Sequence, residues 1–98
     1  DWNKPVGDVY NLIRGANPSP GASTPYAGEA LFLYDSSRTT SHGGEAGTIS
    51  IIDDQGLVIE AQGGAIRVSR LRHGKGAKEK ASEWAARLNI KAGTKLGQ

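Results

Sequence analysis

A helical repeat runs into a joint that no regular element can cross. In Ile13-Arg14-Gly15-Ala16-Asn17-Pro18-Ser19-Pro20-Gly21-Ala22, two prolines and two glycines fall within ten residues. Upstream, Val6, Val9, Tyr10 and Ile13 follow i, i+3, i+4, i+7 spacing and make one apolar stripe, with Leu12 widening it. Pro5 suits the first helical position, where its missing N–H costs nothing. Gly15 suits the left-handed stop, and Pro18 and Pro20 prevent resumption. The pattern predicts an entry helix at about 4–15 and a stiff connector over 16–25.

From residue 28 the period changes to two. Ala30 to Tyr34, Thr48 to Ile52, Leu57 to Gln62 and Ala65 to Arg72 read as strands, all within 28–73. The polar run Asp35 to Gly44 is too rich in serine, threonine and glycine to pack. Asp53-Asp54-Gln55-Gly56 and Gly63-Gly64 read as turns. Leu71 falls on the opposite parity to Ile66 and Val68. Either Leu71 faces away or a bulge near Ser69-Arg70 shifts the register and returns it to the core, and the bulge is the favoured reading. After a basic, glycine-rich loop, His73 to Lys78, a second helix spans about 81–88, with Trp84, Ala85 and Leu88 facing inward. Ile90 and Leu96 are the last apolar anchors. This order predicts a mainly β fold with two short helices, a small OB-like β-barrel. A half-open sheet with both helices on one face is the alternative.

Ninety-eight residues make one domain with one modest core. No stretch approaches the ~20 apolar residues of a membrane span, so no membrane partner is expected. The chain has no cysteine, which excludes disulfides and thiolate chemistry and fits a cytoplasmic location. It also has no methionine and opens on Asp1-Trp2, which predicts a piece of a longer polypeptide.

His42 and His73 lie far apart in glycine-rich loops without partners at metal-ligand spacing, and read as surface histidines. Asp53-Asp54 is a turn rather than a catalytic pair, and no glycine cluster has phosphate-loop spacing. No catalytic or metal-binding constellation is present. Charge is the stronger signal. Residues 1–64 carry three basic and eight acidic side chains, a net of −5, whereas residues 65–98 carry nine and two, a net of +7. Arg67, Arg70, Arg72, His73, Lys75, Lys78 and Lys80 fall within fourteen residues. Such a stripe can contact phosphates without reading sequence; a merely solvated face would carry the same charges. Exposed aromatics for base stacking are scarce, since Phe32, the tryptophans and the tyrosines read mostly as core.

Asp1-Trp2-Asn3-Lys4-Pro5, Ile13-Arg14-Gly15 and Pro18-Ser19-Pro20-Gly21-Ala22 together closely resemble the opening of the C-terminal domain of the formyltransferase family. That family includes methionyl-tRNA formyltransferases, sugar-nucleotide formyltransferases and 10-formyltetrahydrofolate hydrolase-like enzymes. Gly47-Thr48-Ile49, Gly64-Ala65-Ile66-Arg67-Val68 and Gly93-Thr94-Lys95-Leu96 are similar to later family segments in the same order. The resemblance implies an OB-like accessory domain following a Rossmann-type catalytic domain of the same chain. It also implies 10-formyltetrahydrofolate as the parent enzyme's cofactor, with none bound in these residues. Acceptor binding or domain support is the implied role, and tRNA or another phosphate-bearing molecule the implied acceptor. A nucleic-acid-binding module is the alternative. Trp2, Arg14, Pro18, Pro20 and Gly21 are then structural, with Arg14 clamping the end of the entry helix.

Overall fold

A computed structural model describes residues 2–16 and 22–97. Helix α1 (Val6–Ala16) is followed by β1 (Ala22–Tyr26), β2 (Glu29–Thr39), β3 (Ile49–Asp53), β4 (Gly56–Ala61), β5 (Gly64–His73), β6 (Glu79–Lys80) and α2 (Ala81–Arg87). The sheet is antiparallel, in the order β1-β2-β5-β4-β3, with β6 paired to the far end of β5. Helix α1 begins just after Pro5, whose carbonyl accepts from Asp8 and Val9, and Val6 N donates to Gln62 O at 2.8 Å. The entry helix is thereby tied to the β4–β5 turn. Its Val6, Val9 and Ile13 join Leu31, Leu33, Leu57, Ile59, Ile66, Val68, Leu71 and Trp84 in one core.

Three boundaries depart from expectation. The connector already contains β1, because Ala22 to Tyr26 pair with Leu33 to Glu29; Pro25 is tolerated on this edge strand, where its missing N–H removes no central ladder bond. The polar run after Tyr34 does not end the strand, since β2 continues to Thr39 opposite Ala65. Leu88 does not face inward but is 40% exposed beyond the end of α2, whereas Trp84 and Ala85 are buried as expected. Pro18, Pro20 and Gly21 lie outside the described residues, as does the side chain of Arg14, whose backbone sits in the last turn of α1.

The strands do not close into a complete barrel, because the edge strands β1 and β3 do not pair. Residues 93–97 bridge that gap. Ile49 N donates to Thr94 O and Leu96 N to Gly47 O on the β3 side, while Gly97 N donates to Pro25 O on the β1 side. Trp2 packs into this seam and is buried, its Nε1 donating to Thr24 Oγ1 at 3.0 Å. The fit requires Gly47: a Cβ there would stand 3.1 Å from Leu96 O and 3.3 Å from Trp2 Cδ1, on a backbone with φ +91°. Replacing Trp2 with phenylalanine removes that donor and opens a void. It should cost about 1–3 kcal/mol, read as a lower denaturant midpoint with an unchanged slope.

Leu71 reaches the core without the expected register shift. Pairing of β5 with β2 keeps one register from Leu31↔His73 through Leu33↔Leu71 to Ser36↔Val68 and Thr39↔Ala65. The irregularity lies across the ladder, where Asp35 takes a left-handed φ of 51° and accepts a hydrogen bond from Ser69 Oγ through its carbonyl. Above that level Leu31, Leu33 and Leu71 bury; below it Ile66 and Val68 do. Both strands change face together, so the inward parity switches while the register is retained.

Candidate functional site

The same parity switch organises the basic residues. Arg67 alternates with the inward Ile66 and Val68, whereas Arg70 and Arg72 flank the inward Leu71. Arg67, Arg70 and Arg72 therefore all project from the outer face of β5. Lys80 lies directly across β6 from Arg70, and Tyr34 and Phe32 lie across β2 from Arg70 and Arg72. Lys75 is exposed in the turn that follows β5, and Lys78 reaches back from just before β6. The structure thus gathers five of the six sequence-predicted cations at one face, with Lys75 in the turn at its end.

Their partners divide them. Arg67 Nη1 donates to Asp53 Oδ1 at 2.8 Å, and this bond is the main reason the Asp53 carboxyl is held below its ordinary range. Arg70 Nε stands 3.6 Å from Asp35 Oδ2. Arg72, Lys75, Lys78 and Lys80 form no ion pair with a carboxylate among the described residues. Two of these four lie over rings instead: Arg72 Cζ is 4.2 Å from the Phe32 centroid, and Lys78 Nζ is 4.5 Å from that of Tyr34. Cation–π contacts of this kind hold a cation without neutralising it.

Phe32 does not belong to the apolar core as expected but lies half-buried beneath Arg72, whereas Tyr34 is buried as expected, with Lys78 over its ring. The alternation Leu31-Phe32-Leu33-Tyr34 was the available signal, since one parity must face out. His73 is likewise not a surface loop residue. It ends β5, accepts from Trp84 Nε1 at its Nδ1 (3.2 Å) and places Nε2 3.1 Å from Tyr26 O. The indole can only donate, which makes the neutral imidazole with its proton on Nε2 the tautomer that satisfies both contacts.

A second polar cluster lies farther along the outer face. Glu60 is 1% exposed in β4, yet its carboxylate accepts from Ser41 Oγ (2.6 Å), Ser50 Oγ (2.5 Å) and His42 N (3.2 Å), with the His42 ring 4.0 Å away. Burial is the largest influence and pushes the carboxyl upward, but the two hydroxyls and His42 together hold it below its ordinary value. Ser50 is aimed there by a register irregularity in β3 between Ile49 and Ile51. Every donor is satisfied internally, so the cluster anchors the segment after β2 rather than offering a reactive acid. Among the described residues no group of three histidine or acidic side chains is placed to hold a metal ion.

The formyl transferase C-terminal domain model matches residues 1–89. The chain belongs to that family. The methionyl-tRNA formyltransferase of Chromobacterium violaceum is 36% identical over 97 residues, covering 99% of this chain and 31% of the relative. Those of Ruminiclostridium cellulolyticum and Bacillus cereus (strain AH187) are 32% and 34% identical, each over the whole chain and 32% of the relative. The chain spans about a third of the length of these curated relatives. In fold, the domain superposes on HypX from Aquifex aeolicus, solved in complex with tetrahydrofolic acid, with a TM-score of 0.81. That match has 19% identity and covers 94% of this chain and 17% of HypX. The domain has no helix long and apolar enough to cross a membrane among the described residues.

Proposed function

We propose that this is the accessory domain of a 10-formyltetrahydrofolate-dependent formyltransferase, with bond-making in a Rossmann-type domain of the same chain. The outer face of β5 and β6 holds the phosphate backbone of a tRNA acceptor. One observation carries the reading: Arg72, Lys75, Lys78 and Lys80 are grouped at one end of that face without carboxylate partners. Cations already paired with a carboxylate must exchange one anion for another, whereas these four gain a partner on binding. The methionyl-tRNA formyltransferases among the relatives favour tRNA over a smaller acceptor. This reading assigns the formyl-folate to that Rossmann-type domain.

The test is steady-state kinetics on the full-length protein carrying Lys75→Glu, Lys78→Glu and Lys80→Glu together. The expected result is a KM for tRNA at least about tenfold higher with kcat retained, the signature of weakened uniform binding. The slope of log affinity against log salt should flatten by about one for each phosphate that no longer meets a lysine. Unchanged KM and an unchanged salt slope would leave the domain a buttress for its neighbour. Leu12 favours such support as an additional role, being a large apolar side chain 57% exposed on α1.

A further inference from the structure

We propose that the Arg72 guanidinium is a stacking platform for one unpaired nucleobase, so that the basic face takes single-stranded nucleic acid in preference to duplex. This rests on the reading of that face as a polyanion-binding surface and deepens it. Three observations carry it. The guanidinium lies 4.2 Å from the centroid of Phe32, directly across the β2–β5 ladder. Its Nη1 donates to Gly74 O at 2.9 Å, a second contact that restrains the group over the ring. No carboxylate among the described residues pairs with it, and the side chain is only half-buried.

A planar cation held over Phe32 and only half-buried keeps guanidinium surface available to a ligand. Guanidinium planes and aromatic rings are the surfaces on which unpaired bases stack. Around it, Lys75, Lys78 and Lys80 supply contacts for the flanking phosphates, the sequence-independent part of the site. Base pairing within a duplex keeps the base in its own stack and closes this platform to it. The ion-paired Arg67 and Arg70 have carboxylates where Arg72 has a ring, which makes Arg72 the β5 arginine suited to a base rather than to a phosphate alone.

The test compares a short oligoadenylate with the same oligonucleotide carrying abasic sugars, by fluorescence anisotropy with the full-length protein. The two probes have identical phosphates and differ only in bases. Wild type should bind the base-bearing strand about tenfold more tightly, the lower range of stacking on a protein platform. Arg72→Lys keeps the charge but loses the plane; it should bring the two affinities together while leaving the salt slope unchanged. Equal binding of both strands by wild type, or a base preference that survives Arg72→Lys, overturns the platform. Lys75→Glu distinguishes that failure from failure of the face itself: it weakens both probes where the face binds phosphate, and neither where it does not.

Discussion

Replacing Glu60 with alanine is expected to destabilise the domain by about 2–4 kcal/mol, although the residue is remote from the unpaired cations. The substitution removes one acceptor group from three donors, the Ser41 and Ser50 hydroxyls and the His42 amide, and leaves a void beneath them. Glu60 also lies where the chain crosses from β4 to the seam. Its backbone N donates to Thr48 O, and its carbonyl accepts from Gly47 N, which itself sits against Trp2. Loss of the acid therefore loosens the segment after β2 and one side of the barrel opening together. Equilibrium denaturation checks the magnitude, and faster amide exchange at His42 and Gly47 checks the location.

The direction of the Glu60 shift fixes its pH dependence. A carboxyl whose folded value lies below its ordinary 4.5 contributes stability that is complete above that value. The contribution is lost as the pH falls through the depressed folded value. Glu60→Gln keeps the size, introduces a donor facing other donors, and does not titrate. The stability difference between wild type and Glu60→Gln should then be constant above about pH 5.5 and shrink below 4.5. A gap that is flat through acid pH would show that the ionised form is not what the two serines recognise.

Where the period was clean, the sequence located the elements closely: α1, β3, β4 and β5 follow the apolar spacing to within two residues. Where a single backbone angle decided the outcome, it did not. The left-handed turn at Asp35 depends on what the paired strands bury on both sides, and a change of parity with no change of register leaves no gap in the pattern. That one position accounts for the burial of Leu71 and for the shared outward face of Arg67, Arg70 and Arg72. Strand β1 was hidden because Ser23, Thr24 and Pro25 carry no apolar alternation; an edge strand paired on one side does not need it. Nothing in the run Leu57 to Ala61 marks Glu60 as a buried acid, because its partners come from serines distant in sequence. The cations were legible as a cluster, but their division into paired and unpaired members rests on cross-strand neighbours that only the register supplies.

Replacing Trp84 with alanine is expected to cost about 3–5 kcal/mol, the range for deleting a fully buried large aromatic. Helix α2 has seven residues, too few to persist without tertiary contacts, and its buried side chains are Ala81, Trp84 and Ala85. Nearly all the apolar area that fastens it therefore belongs to one indole. That ring packs edge-on against Tyr26 and His73, at centroid distances of 5.5 and 5.6 Å, and donates to His73. His73 in turn reaches the Tyr26 carbonyl, so the three aromatics join α2, β5 and β1. Trp84→Phe separates the two contributions. It retains most of the packing and leaves His73 Nδ1 without its donor, which should cost about 1–3 kcal/mol. The consequence extends to the basic face, because Lys80 immediately precedes α2 and pairs across to Arg70. Amide exchange should accelerate in β6 and α2 of Trp84→Phe before it does in β4, and affinity for the proposed tRNA acceptor should fall although no cation has been removed. Exchange that rises uniformly across the sheet would show that the indole holds the whole core rather than α2 and the short strand before it.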